Sequence, residues 1–391
     1  MTKSGILSVL GLAAVCVASI GLHNRVGRPV VVTPTVRALR PAAPAWHTLA
    51  GSAALGVLGG PYLWGYRAGV ERPIASVTKT MTADIVLTHP HRYPWKRTIA
   101  ITPAEVLNDR RGLLKADSEV PLRSGQHVTV GDLLEALMLP SADDSAWVLA
   151  DNYPGGSSAF IAAMNQRARE LGMQHTHYVD PDGVNHRGYS TASDLMKLMT
   201  ADMKIPAFRQ LVRTKTADTA FGQITNLNQL LWTYRGAIGI KTGWTPWAGS
   251  CLAFAATRRI GGRMMTLQGV VLGEPSFGPM FQDVTQLLNT GFQSLRYQVL
   301  LPKGGVVAEA EVAGGFLAGS DREKFVVSRP LGAFATAPRA HLALRWMPLR
   351  ASGYRAGEVV GYAGYREAGW QTAWVPVVAT RTISVSWLNR I

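Results

Sequence analysis

Pro73-Ile74-Ala75-Ser76-Val77-Thr78-Lys79-Thr80-Met81-Thr82-Ala83-Asp84-Ile85-Val86-Leu87 is the stretch on which the reading of this chain turns. It contains no Gly, its one Pro stands at its head, and Pro90 follows it, so it reads as a helix beginning at or near Ser76. Ser76 and Lys79 then project from one face at adjacent turns. A serine hydroxyl is a poor nucleophile at neutral pH, and a lysine becomes a competent base only where burial or a neighbouring positive charge favours its neutral form. A serine at a helix N-terminus also has backbone N–H groups and the positive dipole end beside any developing oxyanion. The spacing alone carries little weight, because Ser-x-x-Lys is common and an exposed helix face accounts for it equally well.

Further along, Lys241-Thr242-Gly243 ends a strand-like run from Ile238, where Gly lets a substrate backbone come close. Lys241 would place a second positive charge near Lys79 and help keep one of the two neutral; a snorkelling strand-end lysine is the plainer alternative. Between these motifs, Ser141-Ala142-Asp143 falls on a loop separating helices expected over Val130–Met138 and Asp144–Asp151. A hydroxyl there could pass a proton toward a leaving amine, although Ser or Asp capping the following helix explains the triplet as well. The order and spacing of all three motifs make the set specific.

Around them, a Gly-rich hairpin is expected over Ser52–Arg67, and helices over Ser158–Leu171 and Thr191–Met203 with Asp180-Pro181-Asp182-Gly183 as a turn between. Strands over Ile238–Gly243, Cys251–Thr257 and Met264–Leu272 suit an antiparallel meander, with a helix over Phe281–Leu295 packed on it. From about Gln298 the chain is Gly-, Val- and Arg-rich and reads as a small all-β module, with strands near Lys324–Val327 and Trp374–Val378. The domain map is therefore 1–22, signal peptide or signal anchor; 23–45, a Pro- and Arg-rich linker; 46–297, the main domain; and 298–391, the β-rich domain. Lys3 ahead of the uncharged run Ile6–Leu22 marks export. That run is short for a spanning helix, and Cys16-Val17-Ala18 is a mediocre cleavage site, so cleavage and retained anchoring both stay open.

With 391 residues, 47% hydrophobic and 17% charged, the chain has more than one core's worth of apolar material and too little charge for disorder. Its net charge of +15 is spread along the sequence, which argues against a nucleic-acid groove. Cys16 lies in the apolar run and Cys251 in a core strand, so the two do not read as a disulfide pair.

The ordered motifs and the text around them resemble the serine D-alanyl-D-alanine carboxypeptidase family, the low-molecular-mass penicillin-binding proteins. Matching stretches run from Pro73–Ala83 through Val130–Leu134, Leu171–Thr176, Asp180–Val184, Ser190–Leu195 and Asn226–Leu231 to Gly239–Thr245 and Ala248–Leu252. The resemblance implies an α+β fold: a penicillin-binding/β-lactamase-like transpeptidase domain, an antiparallel sheet flanked by helices, followed by a small β-rich domain. It implies that Ser76 attacks the carbonyl between two terminal D-alanines of a peptidoglycan stem peptide, with Lys79 taking its proton and Ser141 relaying protons. Lys241, Thr242, Gly243, Trp244 and Asp143 would bind substrate, with the N–H groups of Ser76 and Trp244 as the oxyanion hole. No metal or organic cofactor is implied; β-lactams would acylate Ser76 as substrate mimics. The expected location is extracytoplasmic, secreted or held to the outer face of the cytoplasmic membrane through residues 6–22, because the family's C-terminal amphipathic helix has no match at Trp387–Ile391.

Two positions depart from the family pattern. Asp143 stands where Asn is usual, and an ionised carboxylate accepts hydrogen bonds where an amide can also donate. A family arginine after the third strand has no counterpart in Gly273–Met280, which leaves carboxylate capture to Lys241 and Thr242 or to a borrowed Arg258 or Arg263. Competing readings are a non-catalytic or slow penicillin-binding wall protein, a D,D-endopeptidase, and a β-lactamase, the last needing a water-activating Glu where the chain offers only Glu170 between Ser141 and Lys241.

Overall fold

Five strands build the sheet on which the candidate site rests: β1 (Ser52–Val57), β2 (Tyr62–Tyr66), β3 (Ala237–Thr245), β4 (Gly249–Ile260) and β5 (Arg263–Glu274), in the order β2-β1-β5-β4-β3, all antiparallel. The Cys251–Ala256 part of β4 is buried throughout with no polar alternation, as a strand covered on both faces requires. A helix packs on each face of the sheet. In β5, Gln268 donates to Met196 O and Thr200 Oγ1 of α5 (Ala192–Asp202), while its neighbour Leu267 lies against Gly291 of α7 (Phe277–Ser294). Adjacent strand residues face opposite ways, so α5 and α7 lie on opposite faces of the sheet.

The helical part surrounds α1 (Lys79–Thr88), which is buried from Lys79 to Val86. Its polar side chains are satisfied internally: Thr80 donates to Val77 O at 2.8 Å, Thr82 to Pro181 O at 2.6 Å, and Asp84 receives both arms of Arg167 from α4 (Gly156–Glu170) at 2.7 and 3.2 Å. Against α1 pack α2 (Val130–Met138), started by a Thr129/Asp132 capping box, and α3 (Asp143–Asp151). Helix α6 (Pro206–Arg213) and the hairpin Thr216–Thr219/Gly222–Thr225 have no counterpart in the sequence reading. Pro206 reads as a break but occupies the first turn of α6, where its missing N–H costs nothing.

This computed structural model describes residues 30–31, 48–60, 62–109, 118–295, 297–312, 321–334, 341–347, 353–367, 370–371 and 374–384. They divide into a unit spanning Ala42–Leu295 and a second comprising Arg296–Ile391 with Met1–Pro41. The second unit holds an antiparallel sheet ordered Val30–Val31, Val306–Val312, Asp321–Val327, Val375–Ala379, Val359–Glu367, His341–Trp346, with its own core around Val307, Phe325, Val327, Tyr365 and Val377. Val30 and Val31, read as linker, pair with Glu309 and Ala308, because two β-branched residues suit a free sheet edge. The apolar run 6–22, Cys16 and the C-terminal Trp387–Ile391 lie outside the described residues. Among the described residues no helix is long and apolar enough to cross a membrane.

Candidate active site

Ser76 does not lie in the helix proper. It sits in a 3₁₀ turn, Ala75–Thr78, that feeds α1, and Ala75 ahead of it adopts φ +48°. Ser141, on the loop joining α2 to α3, adopts φ +73°. Left-handed backbone is costly for non-glycine residues and persists where surrounding packing imposes it, often at functional sites.

The packing responsible is visible on two sides. Gly183, itself at φ +86°, leaves no space for a Cβ against Ala75 O and Thr78 Oγ1, so the Asp180–Gly183 turn presses directly on the Ser76 turn. From the sheet, Gly243 of β3 abuts the same turn: a Cβ there would lie 3.0 Å from Ser76 N and 3.1 Å from Ile74 O and Val77 N.

Lys79 Nζ lies at the centre of the cluster. It donates to Ser76 Oγ at 2.7 Å, to Asp143 Oδ1 at 2.5 Å and to Asp182 O at 2.9 Å, and the side chain is fully buried. Asp143 is clamped to the chain opposite, donating its N–H to Ser118 O at 2.7 Å and accepting from Ser118 N–H at Oδ2 at 3.1 Å. Both carboxylate oxygens are therefore engaged, and Asp143 faces the lysine instead of offering a free group to substrate. The capping explanation of the triplet does not hold, since Ala142 is the N-cap of α3 and no side chain caps it.

Lys241 is 1% exposed, and among the described residues its amine donates only to its neighbouring carbonyl, Thr242 O, at 3.1 Å. Burial, and secondly the charge of Lys79, hold its amine well below the usual lysine range, against the pull of Asp143. Thr242 is buried beside it, whereas Trp244 is 41% exposed. Neither arginine considered for carboxylate capture is near. Arg258 donates to Tyr234 Oη and Asn289 Oδ1 and stacks on Phe292. It stands five residues along β4 from Ala253, the partner of Lys241, roughly 17 Å by strand rise. Arg263 is farther still, at the β4–β5 turn.

Sequence reasoning missed Ser118, Trp147 and the role of Asp182. Trp147 Nε1 donates to Asp182 Oδ2 at 2.6 Å, and Asp180 accepts from the N–H groups of Gly183 and Asn185, so this acidic turn is fixed beneath Lys79. Burial first, then the Asp180 charge, push the Asp182 carboxyl up to about 7. The Asp-Pro-Asp-Gly text was legible as a turn, but a carbonyl acceptor has no side-chain signature.

A family model described as D-alanyl-D-alanine carboxypeptidase matches residues 62–276. The chain belongs to that family. Its relative from Streptomyces sp. (strain K15), a D-alanyl-D-alanine carboxypeptidase, is 39% identical over 251 residues, 60% of this chain and 83% of that one. The crystal structure of the Streptomyces K15 DD-transpeptidase aligns with TM-score 0.58 and 37% identity over 65% of this chain and 99% of its own. The D-alanyl-D-alanine carboxypeptidase DacD from Francisella tularensis, 22% identical with TM-score 0.59, extends the similarity of fold to 90% of this chain. The present D-alanyl-D-alanine carboxypeptidase is thus a serine-type hydrolase of peptidoglycan peptides ending in D-Ala-D-Ala.

Proposed function

We propose that Ser76 is the nucleophile and Lys79 its base in removal of the terminal D-alanine. The observation that carries this is the 2.7 Å contact between Lys79 Nζ and Ser76 Oγ inside a buried, doubly braced turn. In the neutral form Lys79 takes the hydroxyl proton as Oγ bonds to the penultimate carbonyl carbon. Collapse breaks the C–N bond, the proton passes by way of Ser141 to the departing D-alanine amine, and water then hydrolyses the ester on Ser76. The N–H groups of Ser76 and Trp244 hold the oxyanion, a role supported by the abutment of Gly243 on Ser76 N.

Lys241 and Thr242 receive the substrate carboxylate. An arriving anion offsets the burial that disfavours the Lys241 charge, so binding and lysine protonation reinforce each other. Glu170, the residue a β-lactamase reading would need, ends α4 with its side chain 52% exposed beside Arg167, which favours peptide over penicillin turnover. We place the enzyme outside the cytoplasm, on the support of Lys3 and the apolar run 6–22 and of where its polymer substrate is found.

The test is labelling by a fluorescent penicillin together with D-alanine release from a peptide ending in D-Ala-D-Ala, for wild type and Ser76→Ala. Both signals are expected to vanish in the variant; equal signals from both proteins would remove Ser76 from the mechanism.

A further inference from the structure

The ammonium form of Lys79 has an acceptor for each of its three hydrogens: Ser76 Oγ at 2.7 Å, Asp143 Oδ1 at 2.5 Å and Asp182 O at 2.9 Å. That arrangement suits a group that donates only. To serve as a base toward Ser76, the same nitrogen must lose one proton and turn a lone pair toward Oγ. Of the three acceptors only Asp143 brings a full negative charge, and it cannot swing away, because Ser118 fixes it through two backbone hydrogen bonds. An amide at this position would present the same oxygen to Nζ with no net charge.

We propose that Asp143 is a positioning residue that governs the pH dependence of acylation, by pairing its fixed carboxylate with Lys79 Nζ in the free enzyme. The charge of Asp143 costs the enzyme rate at acidic and neutral pH and sets the acid limb of acylation at higher pH than an uncharged residue at this position would. The inference rests on the assignment of Ser76 and Lys79 above.

Other charged groups face the pair from each packed element. Lys241 comes from β3, where burial, and secondly the charge of Lys79, hold its own amine well below the usual lysine range. Asp180 and Asp182 come from the acidic turn, the second being held by Trp147 Nε1 and Val184 N–H. Burial, the largest cause, raises the Asp143 carboxyl above its usual range, with the charge of Lys79 opposing and that of Asp182 adding to the rise. Asp182 also titrates near neutrality, but it is the same in every protein compared below.

The test is the second-order rate of acylation by a fluorescent penicillin between pH 5 and 10 for wild type, Asp143→Asn and Asp143→Ser, with kcat and KM for D-alanine release. Both variants remove the charge, and only Asn supplies an amide donor. The acid limb of the acylation profile is expected to move to lower pH by about one unit or more in both, giving about a tenfold gain near pH 6. Any gain from amide donation would instead raise the Asn profile alone and at all pH values. A limb that stays in place in both variants, or moves to higher pH, overturns the proposal. If the wild type still labels at Ser76 in that case, only the role of Asp143 fails; if Ser76→Ala labels normally, the nucleophile assignment fails first.

Discussion

At Gly243 the strand has no room for a side chain. A Cβ would stand 3.0 to 3.1 Å from three backbone atoms of the Ser76 turn, and backbone cannot step aside as a flexible side chain does. Gly243→Ala should therefore push the turn a few tenths of an ångström away from Lys79. We expect kcat/KM for D-alanine release to fall by about ten- to a hundredfold, because small misplacements of reacting groups are costly, while thermal unfolding moves by only a few degrees. Unchanged kinetics would mean that this contact does not position the nucleophile. At the residue scale Ser76, Lys79, Ser141, Lys241 and Thr242 could be proposed from sequence because the chemistry proposed for them resides in side chains whose order along the chain is distinctive. The clamp of Ser118 on Asp143 and the carbonyl of Asp182 were not, because backbone groups are the same on every residue. The left-handed φ of Ala75 and Ser141 was hidden for a related reason: packing imposes it, and neither residue type advertises it.

Among the elements, α1 shows most clearly how local pattern and tertiary setting part company. Its limits agree with the reading to within a turn, yet its burial on every side could not be inferred from a run that mixes Thr, Lys and Asp with apolar residues. The polar positions are tolerated because neighbouring elements answer them, and Asp84 is the deepest case. Arg167 on α4 grips it in a two-pronged pair, while Asp202 at the end of α5 is fully buried nearby. Burial, and secondly the charge of Asp84, push the Asp202 carboxyl well above the usual range, with Arg167 opposing. The folded protein thus keeps a proton on Asp202 that the unfolded chain releases above about pH 4. Native binding of that extra proton means stability declines as pH rises, by at most about 1.4 kcal/mol per unit, until Asp202 itself ionises. Asp202→Asn removes this loss while keeping the shape. Its melting temperature relative to wild type is expected to rise steadily from pH 5 to pH 9; an offset that is the same at both ends would show that Asp202 is charged in the fold.

For the molecule as a whole, the sequence placed the boundary at 297/298 by a change in composition, and the compact units divide at 295/296. What composition could not convey was the pairing of Val30–Val31 with the strand at Val306–Val312, since so short a run of valines has no periodicity to read. Every residue of the candidate site falls in the unit Ala42–Leu295, which has its own extended core from Ala54 to Leu272. The second unit has a separate core of Val, Ala, Phe and Tyr side chains. A natural relative gives the same partition: 65% of this chain accounts for 99% of the Streptomyces K15 DD-transpeptidase chain, so the catalytic fold there needs nothing corresponding to the β-rich unit. A fragment limited to residues 42–295 is accordingly expected to unfold in one cooperative transition. It should react with a fluorescent penicillin at a rate within about threefold of the full chain, the units being separate cores. Loss of acylation by a fragment that still melts cooperatively would show that the β-rich unit acts on the site itself. Retained acylation with slower release of D-alanine from intact wall, but not from a soluble peptide, would assign the β-rich unit to engagement of the polymer, leaving the chemistry to Ser76 and the groups packed around it.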